Sequence, residues 1–224
     1  LRSVSHDLRT PLTSISGNAA NLRAHEDRFT SEERKGIYED IYEDAVWLID
    51  LMENLLAITK LEERVSIHLT GEVVADVLTG AVEKARRHGD GHNIILEPDG
   101  SCLVAEMDAA LILQVMDNLI VNAVKHTPAG TTIRIKDWLD GDHVMISVAD
   151  DGPGIAKEDQ PHIFELFYTG QKRDADAGRS LGLGLNLCRS ILEAHGQTIE
   201  LKDNDPHGAV FVFGLRRWKG NDGE

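Results

Sequence analysis

The sequence lacks long hydrophobic runs, a basic cluster and a set of cysteines. Its longest apolar runs, such as 111–113 and 210–213, are far shorter than the roughly 20 residues that a membrane-spanning helix needs. The formal net charge is −15, which argues against a nucleic acid or an anionic membrane surface as a partner. The sequence has only two cysteines, Cys102 and Cys188, which suits a reducing cytosol better than a disulfide framework. We expect no disulfide between them. No signal peptide is visible.

The remaining composition is that of a soluble globular protein. The chain has 224 residues, of which 42% are hydrophobic and 27% charged, enough for one good core and a second element. Residues 1–64 show heptad spacing and predict two helices, and Thr30-Ser31-Glu32-Glu33 is typical of the N-terminus of the second. The apolar seam comprises Leu1, Val4, Leu8, Pro11, Ile15, Asn18 and Leu22 on the first helix and Ile41, Ala45, Leu48, Met52, Leu55 and Thr59 on the second.

This hairpin buries only one side of each helix, which predicts a homodimeric four-helix bundle. The alternative is an intramolecular hairpin that docks on the rest of the chain. Because the chain begins within a helix, we expect the first helix to be truncated and an upstream part to be missing.

Mixed strand and helix signals follow a domain boundary near Arg64, so residues 65–224 predict a second domain. The predicted fold class is α+β, with a helical hairpin followed by a layered sheet-and-helix domain. Predicted strands are 65–69, 93–96, 102–106, 131–139, 143–149, 198–202 and 209–213, and predicted helices are 71–88, 108–126 and 184–195.

The stretch Val4-Ser5-His6-Asp7-Leu8-Arg9-Thr10-Pro11-Leu12 carries a candidate nucleophile. The imidazole of His6 is a fair nucleophile near neutral pH, and Asp7 is a candidate partner for its ring. On a helix, Arg9 and Thr10 share a face with His6. Pro11 interrupts the helical hydrogen bonds and predicts a bend that exposes His6. The alternative is an ordinary exposed histidine beside charged residues.

Asn118, Asn122 and Lys125 project to one side of the helix predicted from Asp108. Two amide oxygens beside an ammonium group suit a magnesium–triphosphate better than a bare metal. The alternative is a pair of buried asparagines that cap a neighbouring loop.

Glycine-rich segments follow an apolar strand. In Asp150-Asp151-Gly152-Pro153-Gly154-Ile155, a carboxylate at the strand end can accept from an exocyclic amine, while the glycines allow backbone to approach a base. Gly182-Leu183-Gly184-Leu185 leads into a helix whose free N–H groups suit phosphates. Between them, the polar stretch 169–179 with Lys172, Arg173 and Arg179 suits a phosphate-ordered loop. No Gly-Lys-Ser/Thr is present, so these glycines do not form a Walker loop.

In this order the segments resemble the H, N, G1, F and G2 boxes of sensor histidine kinases. The H box is Ser5–Thr13, the N box 118–127, the G1 box 150–155, the F box Ile163-Phe164-Glu165-Leu166-Phe167-Tyr168 and the G2 box 182–185. The exact residues of the H box, together with Trp47-Leu-Ile and Arg179-Ser-Leu-Gly-Leu-Gly-Leu, resemble the Kdp-type potassium-responsive sensor kinases. Ser180 and Leu181 depart from the usual pattern, which has a glycine and a small residue there.

The resemblance implies an ATP-dependent protein-histidine kinase, with a nucleotide domain of the two-layer α/β sandwich type shared with gyrases and chaperones. His6 would accept the γ-phosphoryl group of ATP and pass it to an aspartate of a response regulator receiver domain. Asp7 would hold and deprotonate the His6 ring, and Thr10 would orient a water for phosphatase activity. Asp150 would read adenine, and Asn118 and Asn122 would hold Mg²⁺. The implied nucleotide-binding residues are Asn118, Asn122, Lys125, His126, Asp150, Gly152, Gly154, Ile155, Phe167, Gly182, Leu183, Gly184 and Leu185.

Four other interpretations are to be weighed against this one. Phe164 and Phe167 fit plain core packing as well as an anchor for a lid. The chain could be an ATPase of the gyrase and chaperone group, although these lack an H-box helix, or a non-catalytic dimerising scaffold. His88 and His92 are four apart, but Gly89 and Gly91 break any helix there and favour a solvated loop over a metal site. We expect a cytoplasmic fragment of a protein held in the cell membrane by segments upstream.

Overall fold

The protein is described from a computed structural model, which covers residues 2–25, 28–62, 67–87, 91–169 and 182–220. The chain divides into two compact units, Leu1–Leu56 and Ala57–Glu224. The predicted domain boundary near Arg64 lies outside the described residues and stays a prediction. No helix in the described ranges is long and apolar enough to cross a membrane.

Two long helices make up the first part of the chain, α1 (Arg2–His25) and α2 (Ser31–Glu62). A capping box begins α2, as the sequence predicts: the Glu33 N–H donates to Thr30 Oγ1 (3.2 Å) and the Thr30 N–H donates to Glu33 Oε2 (2.7 Å). The predicted α1 seam is the covered side of that helix, where Pro11 and Leu22 are buried and Leu8, Ile15 and Asn18 half-buried. The side chains of Leu1, Val4 and Thr59 lie outside the described set.

Within a single chain, the predicted α2 seam is covered only in part. Ile41, Ala45, Leu48 and Leu55 are half-buried, but Met52 is 56% exposed and its neighbour Leu51 is buried instead. At 3.6 residues per turn, Leu48, Leu51 and Leu55 lie on the middle of the covered side of α2, and Met52 lies at its border with the exposed side.

The second unit contains a five-stranded mixed sheet and a two-stranded ribbon. In chain order its elements are β1 (Thr70–Val73), α3 (Val74–Arg87), β2 (Asn93–Glu97), β3 (Val104–Met107), α4 (Ala109–His126), β4 (Thr132–Asp140), β5 (His143–Asp150), α5 (Gly184–Ala194), β6 (Ile199–Asp203) and β7 (Ala209–Arg216). The sheet order is β2-β4-β5-β7-β6, in which only the β2–β4 pair is parallel, and β1 pairs antiparallel with β3.

The core lies between one face of this sheet and the three helices. Strand residues on that face alternate with residues on the other: Ile133 and Ile135, Val144 and Ile146, and Phe211 and Phe213 are all buried. α4 is the central helix, because it packs against α3, α5, β4 and β5. Its buried side comprises Ile112, Val115, Met116, Leu119, Ile120 and Ala123. The predicted α/β sandwich is therefore confirmed.

The start of this unit differs from the prediction. Residues 67–69 form no strand, the strand is Thr70–Val73, and α3 begins at Val74 rather than Gly71. Residues 65 and 66 of the predicted strand, and His88 at the predicted end of the helix, lie outside the described ranges. Gly71 pairs with Glu106 of β3, and a Cβ there would lie 2.7 Å from the Trp218 ring. Pairing with a distant strand thus overrides the local helical pattern.

Candidate functional site

Asp108 positions the helix that carries the N box. Its side chain caps α4 by accepting from the Leu111 N–H (3.3 Å), and its own N–H donates to Nε2 of His195 (3.1 Å) at the end of α5. Nδ1 of His195 lies 2.7 Å from the Ile191 carbonyl oxygen. These bonds join the beginning of α4 to the end of α5, so the two helices are held in a fixed register.

The amide of Asn118 faces the beginning of α5. Its Nδ2 donates to the Gln114 carbonyl oxygen (3.0 Å), which leaves Oδ1 as the free acceptor. A Cβ at Gly184 would lie 2.9 Å from that Oδ1, so only glycine fits against the asparagine here. The N box and the G2 box are therefore adjacent in space. Asn122 is half-buried one turn further along α4, and Lys125 is exposed in the last turn.

α5 begins without a side-chain cap. Its N-cap residue is Leu183, which makes no capping hydrogen bond, so backbone N–H groups of the first turn have no side-chain acceptor. Such a helix N-terminus attracts anions. This end of the sandwich therefore presents backbone N–H donors, which suit an anion, beside the Asn118 amide oxygen, a ligand type that Mg²⁺ prefers.

Asp150 ends β5 and is buried. Its Oδ1 accepts from the N–H groups of Gly152 (2.9 Å) and Ala209 (3.3 Å). Burial raises the pKa of the Asp150 carboxyl, and those two hydrogen bonds partly oppose the shift. A rigid, partly dehydrated carboxylate at a strand end suits an amine of a bound base.

The remaining G1 residues lie against α4 and the following loop. A Cβ at Gly152 would overlap the Thr127 methyl group, so this backbone runs directly over the end of α4. Thr127 in turn donates from Oγ1 to the Ala123 carbonyl oxygen (2.7 Å). Gly154 has φ +73, and the Ile155 carbonyl oxygen accepts from Gln160 Nε2 (3.1 Å).

Two histidines lie close to the end of α4. The pKa of His126, a predicted nucleotide-binding residue, is lowered by removal from water and by the adjacent charge of Lys125. His92 lies in a loop, as predicted, but it is half-buried there, with Nε2 3.0 Å from Thr127 Oγ1. Within the described part of the chain, no cluster of three or more histidine, cysteine, aspartate or glutamate side chains could hold a metal ion.

A backbone hydrogen bond joins the F box to the G2 box. Phe167 has φ +67, which is rare outside glycine, and its N–H donates to the Gly182 carbonyl oxygen (3.2 Å). Tyr168 donates its hydroxyl to Asp159 Oδ1 (2.6 Å), which raises the pKa of Tyr168 to about 12. Phe164 packs edge-on against Phe211 at 6.3 Å between ring centroids, so the core-packing interpretation holds for Phe164.

Some predicted site residues lie outside the described residues. These are Lys172, Arg173, Arg179, Ser180 and Leu181 of the segment between the F and G2 boxes. His6 and Asp7 lie in α1, but their side chains are not among those described. Thr10 is exposed on the same helix, and Pro11 lies within it. The bend predicted at Pro11 stays a prediction.

Sequence reasoning missed the turn between β6 and β7. Asn204 Nδ2 donates to the Asp150 carbonyl oxygen (2.7 Å), and His207 Nδ1 lies 3.1 Å from the Gly152 carbonyl oxygen. Gly208 passes so close to Asp150 that a Cβ would overlap the Asp150 carbonyl oxygen. The string Asn204-Asp205-Pro206-His207-Gly208 contains turn-forming residues, and this was the available signal, but it does not indicate which distant residues the turn contacts.

Three features together define a nucleotide-binding domain of the kind found in sensor kinase transmitters. They are the α/β sandwich, Asn118 and Asn122 on α4, and the glycines at the start of α5. Residues 107–219 match the family described as histidine kinase-, DNA gyrase B- and HSP90-like ATPase, and residues 1–64 match the His Kinase A phospho-acceptor domain. The chain belongs to the histidine kinases of this family and carries both domains of a sensor kinase transmitter. The match over residues 1–64 sets it apart from the gyrase and chaperone ATPases.

Similar proteins include other sensors. The chain is 38% identical over 216 residues to the sensor protein KdpD of Clostridium acetobutylicum, covering 96% of this chain and 24% of that protein. It is 31% identical to the alginate biosynthesis sensor protein KinB of Pseudomonas aeruginosa, covering 93% and 35%. The chain thus spans about a quarter to a third of these curated relatives.

Among solved structures, the histidine kinase ThkA in complex with the response regulator protein TrrA superposes with a TM-score of 0.74 at 26% identity, covering 97% of this chain and 60% of that chain. These similarities confirm the predicted family, including the resemblance to the Kdp-type sensors.

Proposed function

We propose that this chain transfers the γ-phosphoryl group of Mg-ATP to His6 and then passes it to an aspartate of a response regulator receiver domain. The observation that carries the proposal is the adjacency of Asn118 and Gly184, which joins the N and G2 boxes in one site. It is supported by the position of His6 in α1, within the part of the chain that matches phospho-acceptor domains.

The residues of this site fit a magnesium–nucleotide. Mg²⁺ prefers oxygen ligands and keeps phosphate oxygens in its shell, and the Asn118 bond to Gln114 leaves the amide oxygen available. Asn118 and Asn122 would hold the ion, which when bound neutralises charge on the phosphates. Lys125 and the N–H groups at the start of α5 would bind phosphate oxygens, while Asp150 would accept from the adenine amine.

The phospho-acceptor helix would complete the chemistry. Phosphoryl transfer depends mainly on positioning and charge neutralisation, so the acceptor needs a correctly held ring nitrogen. In this proposal Asp7 holds and deprotonates the His6 ring. Thr10 is exposed on the next turn of α1 and would orient a water that removes phosphate from the regulator.

α2 supports the proposal of a homodimer. Six large apolar side chains recur on it at steps of three and four, between 38% and 67% exposed, and they form a stripe along one side of the helix. A second copy of the hairpin would cover this stripe in a four-helix bundle. The stripe comprises Tyr38, Tyr42, Val46, Ile49, Met52 and Leu56.

The wider context follows from the relatives. ThkA has been solved with a response regulator protein, and we infer a receiver domain as the partner here. From the sequence resemblance to the Kdp-type potassium-responsive sensor kinases we infer a response to potassium. We also infer a full-length protein held in the cell membrane by segments outside this chain, with this chain on the cytoplasmic side.

The test is incubation of the chain with Mg²⁺ and γ-labelled ATP. We expect acid-labile label on the wild-type chain and on His25→Gln, a matched control on the same helix, and none on His6→Gln. Label that persists on His6→Gln, or that survives acid, contradicts the proposal. Steady ATP hydrolysis without a phosphoprotein would favour a gyrase-type ATPase, and absence of nucleotide binding in calorimetry would favour a scaffold.

The dimer has a separate test. Met52→Lys places a charge in the exposed stripe, whereas Glu43→Lys changes charge at an exposed position outside it. Sedimentation should show a dimer for the wild type and Glu43→Lys, and a larger monomer fraction for Met52→Lys. Equal dimer fractions in all three proteins would rule out this stripe as the interface.

A further inference from the structure

Donors among the described residues engage only one oxygen of the Asp150 carboxylate. Both hydrogen bonds, from Gly152 and Ala209, fall on Oδ1, and no donor among the described residues bonds Oδ2. Every fully buried side-chain oxygen or nitrogen in these ranges has a hydrogen-bond partner. Because Oδ2 has none, it is not fully buried and keeps contact with solvent. The free oxygen is therefore the one that a ligand can reach.

The β6–β7 turn holds the main chain of Asp150. Asn204 donates from Nδ2 to the Asp150 carbonyl oxygen at 2.7 Å, and its own N–H donates to the Gly208 carbonyl oxygen at 3.0 Å. The Asp150 carbonyl thus lies between the Asn204 amide and the Gly208 backbone. Asn204 supplies the only side-chain bond from this turn to Asp150 among the described residues, whereas Ala209 bonds through backbone.

We propose that Asn204 is a positioning residue for nucleotide-base selectivity, acting through Asp150. A carboxylate oxygen favours a purine with an amine at its six-position, which donates, over one with a carbonyl there, which repels it. That preference requires the Asp150 oxygen to stay at the position where the purine amine binds. A purine without the amine is rejected because it leaves this carboxylate oxygen unpaired. Asn204 fixes the strand end from which this oxygen projects.

This inference rests on the proposed function, since it assumes that the site binds an adenine nucleotide. The two are separated by measuring binding of ADP and of GDP to the full chain by calorimetry, with Mg²⁺ present. A wild-type chain that binds no ADP contradicts the proposed function itself. A wild-type chain that prefers ADP allows the Asn204 variants to be judged on their own.

In Asn204→Ala, the ratio of the GDP to the ADP dissociation constant should fall about tenfold, mainly because ADP binds more weakly. This is the effect expected when the adenine amine loses a well-placed hydrogen bond to the charged Asp150 carboxylate. Asn204→Asp should lower the ratio at least as far, because its carboxylate repels the Asp150 carbonyl. Asn93→Ala, at an exposed asparagine on β2, is the matched control and should keep the wild-type ratio.

A proportional loss of ADP and GDP binding in Asn204→Ala would overturn the inference, because a merely structural role weakens both. An unchanged ratio with unchanged affinities would overturn it as well. Asn204→Ser serves as the second variant if the alanine variant folds poorly. Serine is a turn-forming residue but is too short to make the hydrogen bond to Asp150, so this variant should show the same fall in the ratio. Retention of the wild-type ratio in Asn204→Ser would count against the inference in the same way.

Discussion

Gly208→Ala should damage the nucleotide domain and its site together. Gly208 has φ +115, a region that residues with a side chain rarely adopt, and a Cβ there would overlap the carbonyl oxygen of Asp150. The obstructing atom is backbone at the end of a central strand, so it cannot rotate away. Relief requires the β6–β7 turn to move from Asp150.

The expected cost has two parts. The backbone conformation contributes roughly 1–3 kcal/mol, and the overlap contributes about 1–3 kcal/mol, as for other overpacked sites. Together they destabilise the unit by about 4 kcal/mol. At about 2–4 °C per kcal/mol for a domain of this size, the midpoint of thermal unfolding should fall by about 8–16 °C.

Gly130→Ala is the matched control. Gly130 also has positive φ, +91, but a Cβ there meets nothing within 4 Å. It therefore carries only the conformational part, about 1–3 kcal/mol. Comparison of the two variants isolates the overlap with Asp150.

The assay is thermal unfolding with and without ADP, because the transition that ADP raises belongs to the nucleotide-binding unit. Gly208→Ala should unfold below Gly130→Ala and should lose most of the stabilisation by ADP. Equal midpoints for the two variants, with equal shifts by ADP, would refute the close packing of the turn on Asp150.

Three further predictions concern the same unit. Burial raises the pKa of Asp150, and the site needs the ionised carboxylate, so ADP affinity should fall as the pH drops through a range above that of an ordinary aspartate; in calorimetry this step should be missing from Asp150→Asn, and a step that persists there would assign it to another group. Phe167→Gly should be more stable than Phe167→Ala by about 1 kcal/mol, because φ +67 favours glycine; denaturant unfolding that ranks them in the reverse order would contradict this backbone conformation. Lys125→Ala should weaken ADP binding but not adenosine binding, since Lys125 would contact phosphate; an equal loss for both ligands would place its role elsewhere.

Much of this site could be predicted because its parts are local patterns. The α4 face follows from helical spacing, and Asn118 and Asn122 share a side for that reason alone. Likewise, the Asp140-Gly141 signal correctly separates β4 from β5. Family order further predicts that Asp150 and the G2 glycines belong to one site.

The remaining features depend on contacts between distant residues. The bond from Asn204 to Asp150 spans 54 positions, and nothing in the turn sequence specifies that partner. The pairing of β1 with β3 similarly moved the start of α3 to Val74, against its local pattern. The exposure of Met52 in a single chain likewise depends on which helix covers α2, and the heptad spacing of α2 does not specify that neighbour.

The central claim is that ATP bound in this site phosphorylates His6. The most direct measurement is fragmentation mass spectrometry, at neutral pH, of the tryptic peptide 3–9 after incubation of the chain with Mg-ATP. This peptide contains Ser3 and Ser5 as well as His6, so it distinguishes the possible acceptors. We predict one phosphoryl group on His6 in the wild-type chain and none in Asp150→Asn. Phosphate on either serine, or His6 phosphorylated equally well in Asp150→Asn, would contradict the account.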